Sequence, residues 1–504
     1  MAVNYVDWSD DKEKARDLGN SVLFDVHKWS DFPEVNRAVD ALYGKMRELP
    51  EFSGKSKLRR KHVKVVVLNL YVAWLGDPSR WVAYYRGKWA YKKRSRYNEL
   101  HISHITVDIA DALIGLGYVQ HVGGFNYGQK SRTSRMRATQ RLLDLIMGHQ
   151  IAPKMITSPP NRECIILRDE FEDDDGETNQ EDIPYEDTDE TVRMRAELMA
   201  YNKLLAATDI RISETAVGAS RPEGSMPKVD LTNKFVRRIF ANDSWEEGGR
   251  FYGGWWQNLR NRQKHANRDK SRTWRSQILI NSQPTAELDF SALHVVLLYA
   301  LEGIDYWTEI NREPYRLEGY EQSDRMRDFL KLVLLCCLFA DSRSTAIKAV
   351  RRKIHKRDDG TWGRSEEYGW VADEALDLDL VVDAFADAHP RISQKYFYSN
   401  HSTRLQRLDS KIAERVMKGF TEQGIPILAI HDSFLIEQLK FGQLFTAMAL
   451  NIDAVVKEEF GIELDKTVRM KAKGAEAGLI NALLAGAYGS GDTDEGYEGD
   501  VGGY

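Results

Sequence analysis

Two aspartates and one cationic stripe carry the chemistry legible in this chain. Asp289 ends the β-prone run "TAELDF" and precedes the apolar, helix-like "SALHVVLLYAL"; Asp432 stands in "ILAIHDSFLIE", where His431-Asp432-Ser433 parts two apolar runs. The first pattern predicts a carboxylate at a strand end, and the second a carboxylate at the tip of a β-hairpin. Each has a plainer explanation, a helix cap for Asp289 and a turn for Asp432. Two carboxylates delivered to one cleft, however, repel each other unless a divalent cation lies between them. Phosphoryl transfer uses such a pair, one metal activating the attacking oxygen and the other stabilising the leaving pyrophosphate.

A triphosphate also needs cations, and "RDFLKLVLLCCLFADSRSTAIKAVRRK" supplies them. Arg327, Lys331, Leu335 and Phe339 are four residues apart, so on a helix they form one slowly turning stripe. Arginine forks onto phosphate oxygens, lysine can protonate pyrophosphate, and the terminal ring can pack beneath a base or sugar. A helix with a charged start and a buried end is the competing explanation. The run Arg343, Lys348, Arg351, Arg352 and Lys353 follows and suits template phosphates or an ordinary solvated face.

The elements that must position these groups lie in a chain of 504 residues, long enough for two or three domains. No run of about 18 apolar residues stands out, and the N-terminus lacks a signal-peptide core, so a cytoplasmic protein with no membrane partner is expected. Cys164, Cys336 and Cys337 have neither metal nor disulfide spacing. The net charge of −5 hides an uneven distribution: residues 169–190 hold thirteen acids and no base, and residues 492–500 hold five more acids. Removing these eighteen from 76 leaves 58 acids against 71 bases, so the remaining body is basic and suits a polyanionic partner.

The N-terminal region offers a shape for such binding. Ile105, Ile109, Leu113 and Leu116 recur at helical period, Gly117 stops the helix, and a glycine turn at 123–124 leads to a return strand with Lys130, Arg132, Arg135 and Arg137. A helix followed by a basic hairpin resembles a winged-helix module. Just upstream, Trp81, Tyr84, Tyr85, Trp89 and Tyr91 interleave with Arg86, Lys88, Lys92, Lys93, Arg94 and Arg96, a mixture suited to phosphate contact and base stacking. A helical domain with a solvated basic face is the bland alternative.

"DFSALH", "RDFLKLVLLCCLFA" and "IHDSF", in that order, resemble motifs A, B and C of the family A DNA polymerases and the related single-subunit phage-type RNA polymerases. The resemblance spans roughly residues 235–470. It implies an α+β fold: a right-hand polymerase palm with an antiparallel sheet, helical fingers and a small thumb, after a mainly helical N-terminal domain. By resemblance, Asp289 and Asp432 bind two magnesium ions, with manganese as the alternative, Arg327 and Lys331 hold the triphosphate, and Lys331 is the general acid. Phe339 and His294 occupy the positions that sense the sugar. "GGRFYGGWWQNLRN" looks like the element contacting primer and template, which gives that role to Arg250. Gln406 in "LQRLDSKIAERVM" is the minor-groove candidate, His431 falls near the primer end, and Arg343, Lys348 and Arg351 face the template.

The implied organisation is an N-terminal nucleic-acid-binding domain over 1–165, an acidic linker or insertion over 166–191 and a helical thumb-like region over 192–248. Palm and fingers then occupy 249–485, and an acidic glycine-rich tail 486–504. The expected partners are a DNA template, a primer and nucleoside triphosphates. Two departures leave the product open: His294 replaces the motif A glutamate, and Phe339 lacks the hydroxyl of the motif B tyrosine. Ser433 and "GRFY" lean toward the RNA enzymes, and Phe339 and the short A–B interval toward the DNA enzymes. DNA synthesis without a proofreading exonuclease, in a phage, plasmid or mobile element, is the favoured expectation. An RNA polymerase or primase and a non-catalytic protein with a decayed palm are the alternatives.

Overall fold

The computed structural model describes residues 17–473 apart from 54–55, 89–90, 92–94, 128–129, 173–177, 214–226, 228, 260–272, 358–360, 400 and 465–468. Two large hydrophobic cores divide it, one drawn from residues 35–156 and the other from residues 164–472.

The first core is built by β1 (Ser21–Leu23), α1 (Pro33–Met46), α2 (Lys57–Gly76), β2 (Trp81–Tyr84), α3 (Ile105–Gly115), β3 (Val119–Val122), β4 (Phe125–Tyr127), β5 (Lys130–Arg132), β6 (Ser134–Ala138) and α4 (Gln140–Gly148). Its sheet runs β1-β2-β6-β3, parallel only between β1 and β2, and β4 pairs with β5 as a separate ladder. α3 ends near Gly117, whose φ of 75° is open to glycine at little cost, and the chain turns directly into β3.

The basic, aromatic stretch expected to bind nucleic acid is partly interior, with Tyr85 and Lys88 left exposed. Trp81, Tyr84 and Tyr91 are buried, Arg86 forks onto Asp111 at 2.7 Å, and Arg96 pairs with Glu163 and Asp187. Trp89, Lys92, Lys93 and Arg94 lie outside the described residues. On the hairpin, Arg135 donates to Thr133 O at 2.6 Å, and Arg137 to the Gln120 amide oxygen at 2.9 Å while lying 4.2 Å from the Trp81 ring centre. Arg132 lies over Phe125 at 4.9 Å. Arg135 and Arg137 are therefore committed inside the domain rather than presented to a ligand, because the sheet turns them toward its own carbonyls and rings. The Lys130 side chain lies outside the description.

The second core begins with β7 (Ile165–Glu172), β8 (Thr178–Ile183), α5 (Asp189–Ala207), β9 (Ile210–Ile212), β10 (Arg237–Phe240) and β11 (Gly248–Tyr252). The acidic stretch read as a linker or insertion is thus, over its described residues, mostly a paired hairpin, the edge of a sheet ordered β11-β10-β7-β8. The region read as a helical thumb holds one long helix, α5, followed by strands. Neither segment stands apart: Leu167, Met194, Leu198, Tyr201 and Phe240 join the same core as the strands of Asp289 and Asp432. The Tyr201 hydroxyl donates to Ile427 O at 2.8 Å across that junction.

The remaining elements are β12 (Ile278–Ile280), β13 (Gln283–Phe290), α6 (Leu293–Leu301), α7 (Asp324–Phe339), α8 (Arg343–His355), α9 (Trp370–Asp373), α10 (Leu378–Ala388), α11 (Pro390–Tyr396), α12 (Ser402–Glu422), β14 (Leu428–Ile430), β15 (Ser433–Glu437), α13 (Phe441–Phe460) and β16 (Met470–Lys473). They complete an antiparallel sheet ordered β14-β15-β13-β12-β9, with β16 also paired to β13. The mixed α+β composition with antiparallel sheets follows the expectation.

Alternation along β13 explains its placement: Ala286, Leu288 and Phe290 enter the core, while Glu287 and Asp289 share the opposite face. The segment Gln438–Phe460, containing α13, is not an unbroken apolar run but is long and apolar enough to cross a membrane by length and composition alone. In the fold, α13 buries one stripe, Leu444, Met448, Ile452, Val455 and Val456, at the spacing of a helix lying on a core.

Candidate active site

β13 and the β14–β15 hairpin bring the two aspartates together. Asp289 pairs in register with Ser433, and Ile430 pairs with the same Ser433, so His431 and Asp432 form a two-residue turn at the sheet end. His431 has φ 56°, the left-handed conformation that a two-residue hairpin loop requires. Asp432 is half-buried. Burial pushes the Asp289 carboxyl above the ordinary aspartate range and the neighbouring Asp432 pushes it further, against the opposing pull of Lys473 and Lys331. The two carboxylates and Lys331 are therefore electrostatic neighbours although 143 and 42 residues of chain separate them from Asp289.

Sequence reasoning missed the cation nearest to this pair. Lys473 on β16 is ion-paired with Asp289 and lies 3.8 Å from Glu287. Burial alone would lower its pKa, but Asp289, Glu287 and Asp432 raise it above the ordinary lysine value. Its signal was the alternation "RMKAK", in which Met470 and Ala472 are buried and the lysines share the Asp289 face.

Glu287 was missed as well. It lies two residues before Asp289, accepts from the Ser433 hydroxyl at 3.1 Å and pairs with Arg275 at 3.1 Å. A carboxylate from the adjacent strand thus bonds to Ser433.

α7 supplies the opposing wall. Ser323 caps its first turn by accepting from Met326 N, and Met326, Leu330, Val333, Leu334, Cys337 and Leu338 anchor it in the core. Lys331 is left half-buried, its Nζ 5.6 Å from the centre of the Tyr315 ring. Arg327 lies 5.4 Å from the same ring and pairs with Glu313 at 3.1 Å. Tyr315 is 2% exposed, and burial together with Glu313 raises its hydroxyl pKa. It is a floor that sequence reasoning did not identify, lying in a polar segment without periodicity.

Phe339 meets His294 edge to face at 5.9 Å, so the two sugar-sensing candidates touch. His294 Nε2 lies 3.2 Å from the Asp409 carboxylate and 3.1 Å from an Arg250 nitrogen. Arg250 forks onto Asp409, its Nε at 3.0 and 3.1 Å from the two carboxylate oxygens. Burial would depress the Arg250 pKa, but the Asp409 bonds keep it raised. This triad joins β11, α6 and α12, and only Asp409 escaped the sequence reading, its signal being one acid on the apolar face of "RLDSKI".

Close approach makes the triad possible. Gly249 (φ 76°) is the extra residue of a bulge between β10 and β11, and a Cβ there would sit 3.0 Å from both the Phe240 ring and the Ser410 hydroxyl. Gln406 is half-buried on α12 and makes no hydrogen bond among the described residues. His431 packs edge to face on Tyr252 at 5.3 Å, and burial and Arg250 lower its pKa. Its Nδ1 is buried without a partner among the described residues.

The structure does not bring Arg343 into the template-facing group. It pairs with Asp383 at 2.6 Å and Asp379 at 3.2 Å, because α10 packs acids against the start of α8. Lys348 and Arg351 are exposed further along α8. Asp289 and Asp432 fit divalent cations of the magnesium type, which take one or two carboxylates and fill their remaining positions with water and phosphate. Burial and Asp432 together disfavour the ionised form of Asp289, and positive charge placed between the two carboxylates would offset both. Among the described residues no group of three or more His, Cys, Asp and Glu side chains is placed to hold a metal ion.

No protein-family model matches the chain, and no curated protein matches it. A solved structure, the POL domain of Pol1 from M. smegmatis in complex with DNA primer-template and dNTP, is similar at 10% identity and a TM-score of 0.30. The match covers 57% of this chain and 51% of that one, so the chain spans about half of the structure it matches. A likeness of this size carries no argument about mechanism.

Proposed function

We propose that this chain is a template-directed nucleotidyltransferase that extends a 3′-OH with nucleotides from (d)NTPs, with DNA synthesis as the preferred activity. The observation that carries the reading is the juxtaposition of Asp289 and Asp432 on one sheet end with Lys331 of α7 within their field. In this reading the β14-β15-β13 sheet is the palm, and α7 and α8 are fingers.

Asp289 and Asp432 would hold two magnesium or manganese ions, which when bound neutralise the triphosphate and activate the 3′-OH. Lys473, already paired to Asp289, keeps that carboxylate ionised and turned into the cleft. Arg327 forks onto the outer phosphates, exchanging its bond to Glu313 for them. Lys331 gives its proton to the departing pyrophosphate. Tyr315 supports both cations from below, and the His294–Phe339 wall limits the space beside the sugar. Arg250, locked to Asp409 and His294, positions the wall beside the sugar rather than the primer, and His431 faces the primer end.

Primer extension on a DNA template with magnesium tests the reading, run with deoxynucleotides, with ribonucleotides and without primer. Deoxynucleotide addition that Asp432→Ala abolishes is the expected result. Unprimed ribonucleotide addition would favour an RNA polymerase or primase. The absence of any incorporation would point to a decayed palm. Paired replacement of His294 by Glu and Phe339 by Tyr should sharpen the preference for deoxynucleotides, since it restores the glutamate and hydroxyl of the DNA enzymes.

A further inference from the structure

α8 presents Lys348, Arg351, Arg352 and His355 at positions i, i+3, i+4 and i+7, all exposed and along one face. Among the described residues none of the four makes an ion pair, in contrast to Arg343 at the start of the same helix. They line a groove of about 700 Å³ together with Trp362 and Gly363, and among the described residues no acid lines it. Trp362 is 71% exposed, and it is held in place by a bridge between its backbone and that of Lys356, immediately after α8. An indole of that size left in water beside unpaired cations is a costly surface with no role in the core.

We propose that this groove binds a single-stranded stretch of nucleic acid, with one base stacked on Trp362 and successive phosphates on Lys348, Arg351, Arg352 and His355. Lys348, Arg351, Arg352 and His355 span about 10 Å of helix axis, too far for one phosphate. The charge of Lys348, Arg351 and Arg352 is complementary to a phosphodiester backbone. The exposed indole selects a strand whose base faces are free, since the faces in a duplex are already stacked. α8 packs on α7, the helix that carries Lys331, so the groove suits the unpaired part of a template. That placement rests on the polymerase reading, whereas single-strand binding does not.

Fluorescence anisotropy with labelled 12-nucleotide DNA and RNA strands, a DNA duplex and poly-glutamate tests the proposal on the full chain and on its Asp432→Ala variant. Trp362→Ala should weaken single-strand binding by about five-fold or more with an unchanged salt slope, and Trp362→Phe should retain most of the binding. Arg351→Ala/Arg352→Ala should flatten the slope of log K against log salt by about 1.4, two single-strand phosphate contacts' worth. The DNA and RNA strands identify which sugar the groove accepts. Asp432→Ala should bind as the wild type does, so a chain that binds but never extends a primer sinks the polymerase reading and leaves the groove standing. Unchanged single-strand affinity in both Trp362→Ala and the double variant would overturn the proposal, as would equal weakening of duplex binding by Trp362→Ala. Stronger competition by poly-glutamate than by DNA would assign the groove to an acidic peptide instead.

Discussion

Replacing Asp409 by Ala removes the carboxylate that holds Arg250 and His294 in one arrangement. The side chain of Asp409 is 1% exposed and that of Arg250 17%, so the loss strands a guanidinium where water scarcely reaches. Removing one partner of a buried pair costs about 3–5 kcal/mol, far more than the 0–1 kcal/mol of a surface pair. For a body of this size that corresponds to a fall of roughly 6–10 °C in its unfolding midpoint, read by calorimetry on the transition of the C-terminal core. The double variant Arg250→Met/Asp409→Leu removes both charges and fills the space, and should recover most of the lost stability. Wild type, Arg250→Met, Asp409→Leu and the double variant form a cycle whose coupling should exceed about 2 kcal/mol. Asp409→Asn keeps the volume but not the charge and should fall between wild type and Asp409→Ala. A loss below about 1 kcal/mol for Asp409→Ala, or a double variant as unstable as the sum of the singles, refutes the reasoning.

Two further outcomes follow from the electrostatics. Asp432→Asn relieves the repulsion on Asp289 and should melt higher than wild type in EDTA. A carboxyl whose folded pKa is raised contributes stability below the ordinary value of 3.8 that is lost as pH rises through the folded value, so this advantage should appear only above the carboxylate range. Saturating magnesium should then stabilise wild type, by about 2.7 kcal/mol at a hundred-fold excess over Kd, and leave Asp432→Asn unmoved; equal stabilisation of both would remove Asp432 as a ligand. Burial drives His389 down to about 4, where it sits between the Tyr299 hydroxyl at 3.1 Å and Pro314 O at 3.2 Å. Its stabilising contribution is present above the ordinary value of 6.5 and is lost as pH falls toward 4, about 3 kcal/mol in all by linkage. Urea midpoints measured across that window should fall steeply for wild type and less for His389→Asn, and parallel slopes would show that another group titrates.

Much of the candidate site was legible before any fold was known, because period and polarity are local properties. The interruption of an apolar run at His431-Asp432-Ser433 foretold the turn, and the four-residue stripe foretold α7 with Lys331 on its open side. The N-terminal aromatics misled for the same reason: Trp81 and Tyr84 look like a stacking surface beside basic residues, but strand pairing turns them inward. The acidic stretch misled in the opposite direction. Its composition argues against a core, yet Leu167 and the pairing of β7 with β10 anchor it in a sheet.

Residue types and spacing alone determined that Asp289 and Asp432 would be displayed carboxylates, that Arg327 and Lys331 would share a helix face, and that the body would be basic once two acidic runs were set aside. Tertiary structure alone decided which charges meet. Lys473 faces Asp289 across 184 residues, Asp409 locks Arg250 to His294, and Arg343 is consumed by Asp379 and Asp383 while its neighbours on α8 stay free. The reason is that a side chain's direction follows from the chain near it, whereas its partner is chosen by strand register and helix packing between segments far apart in sequence.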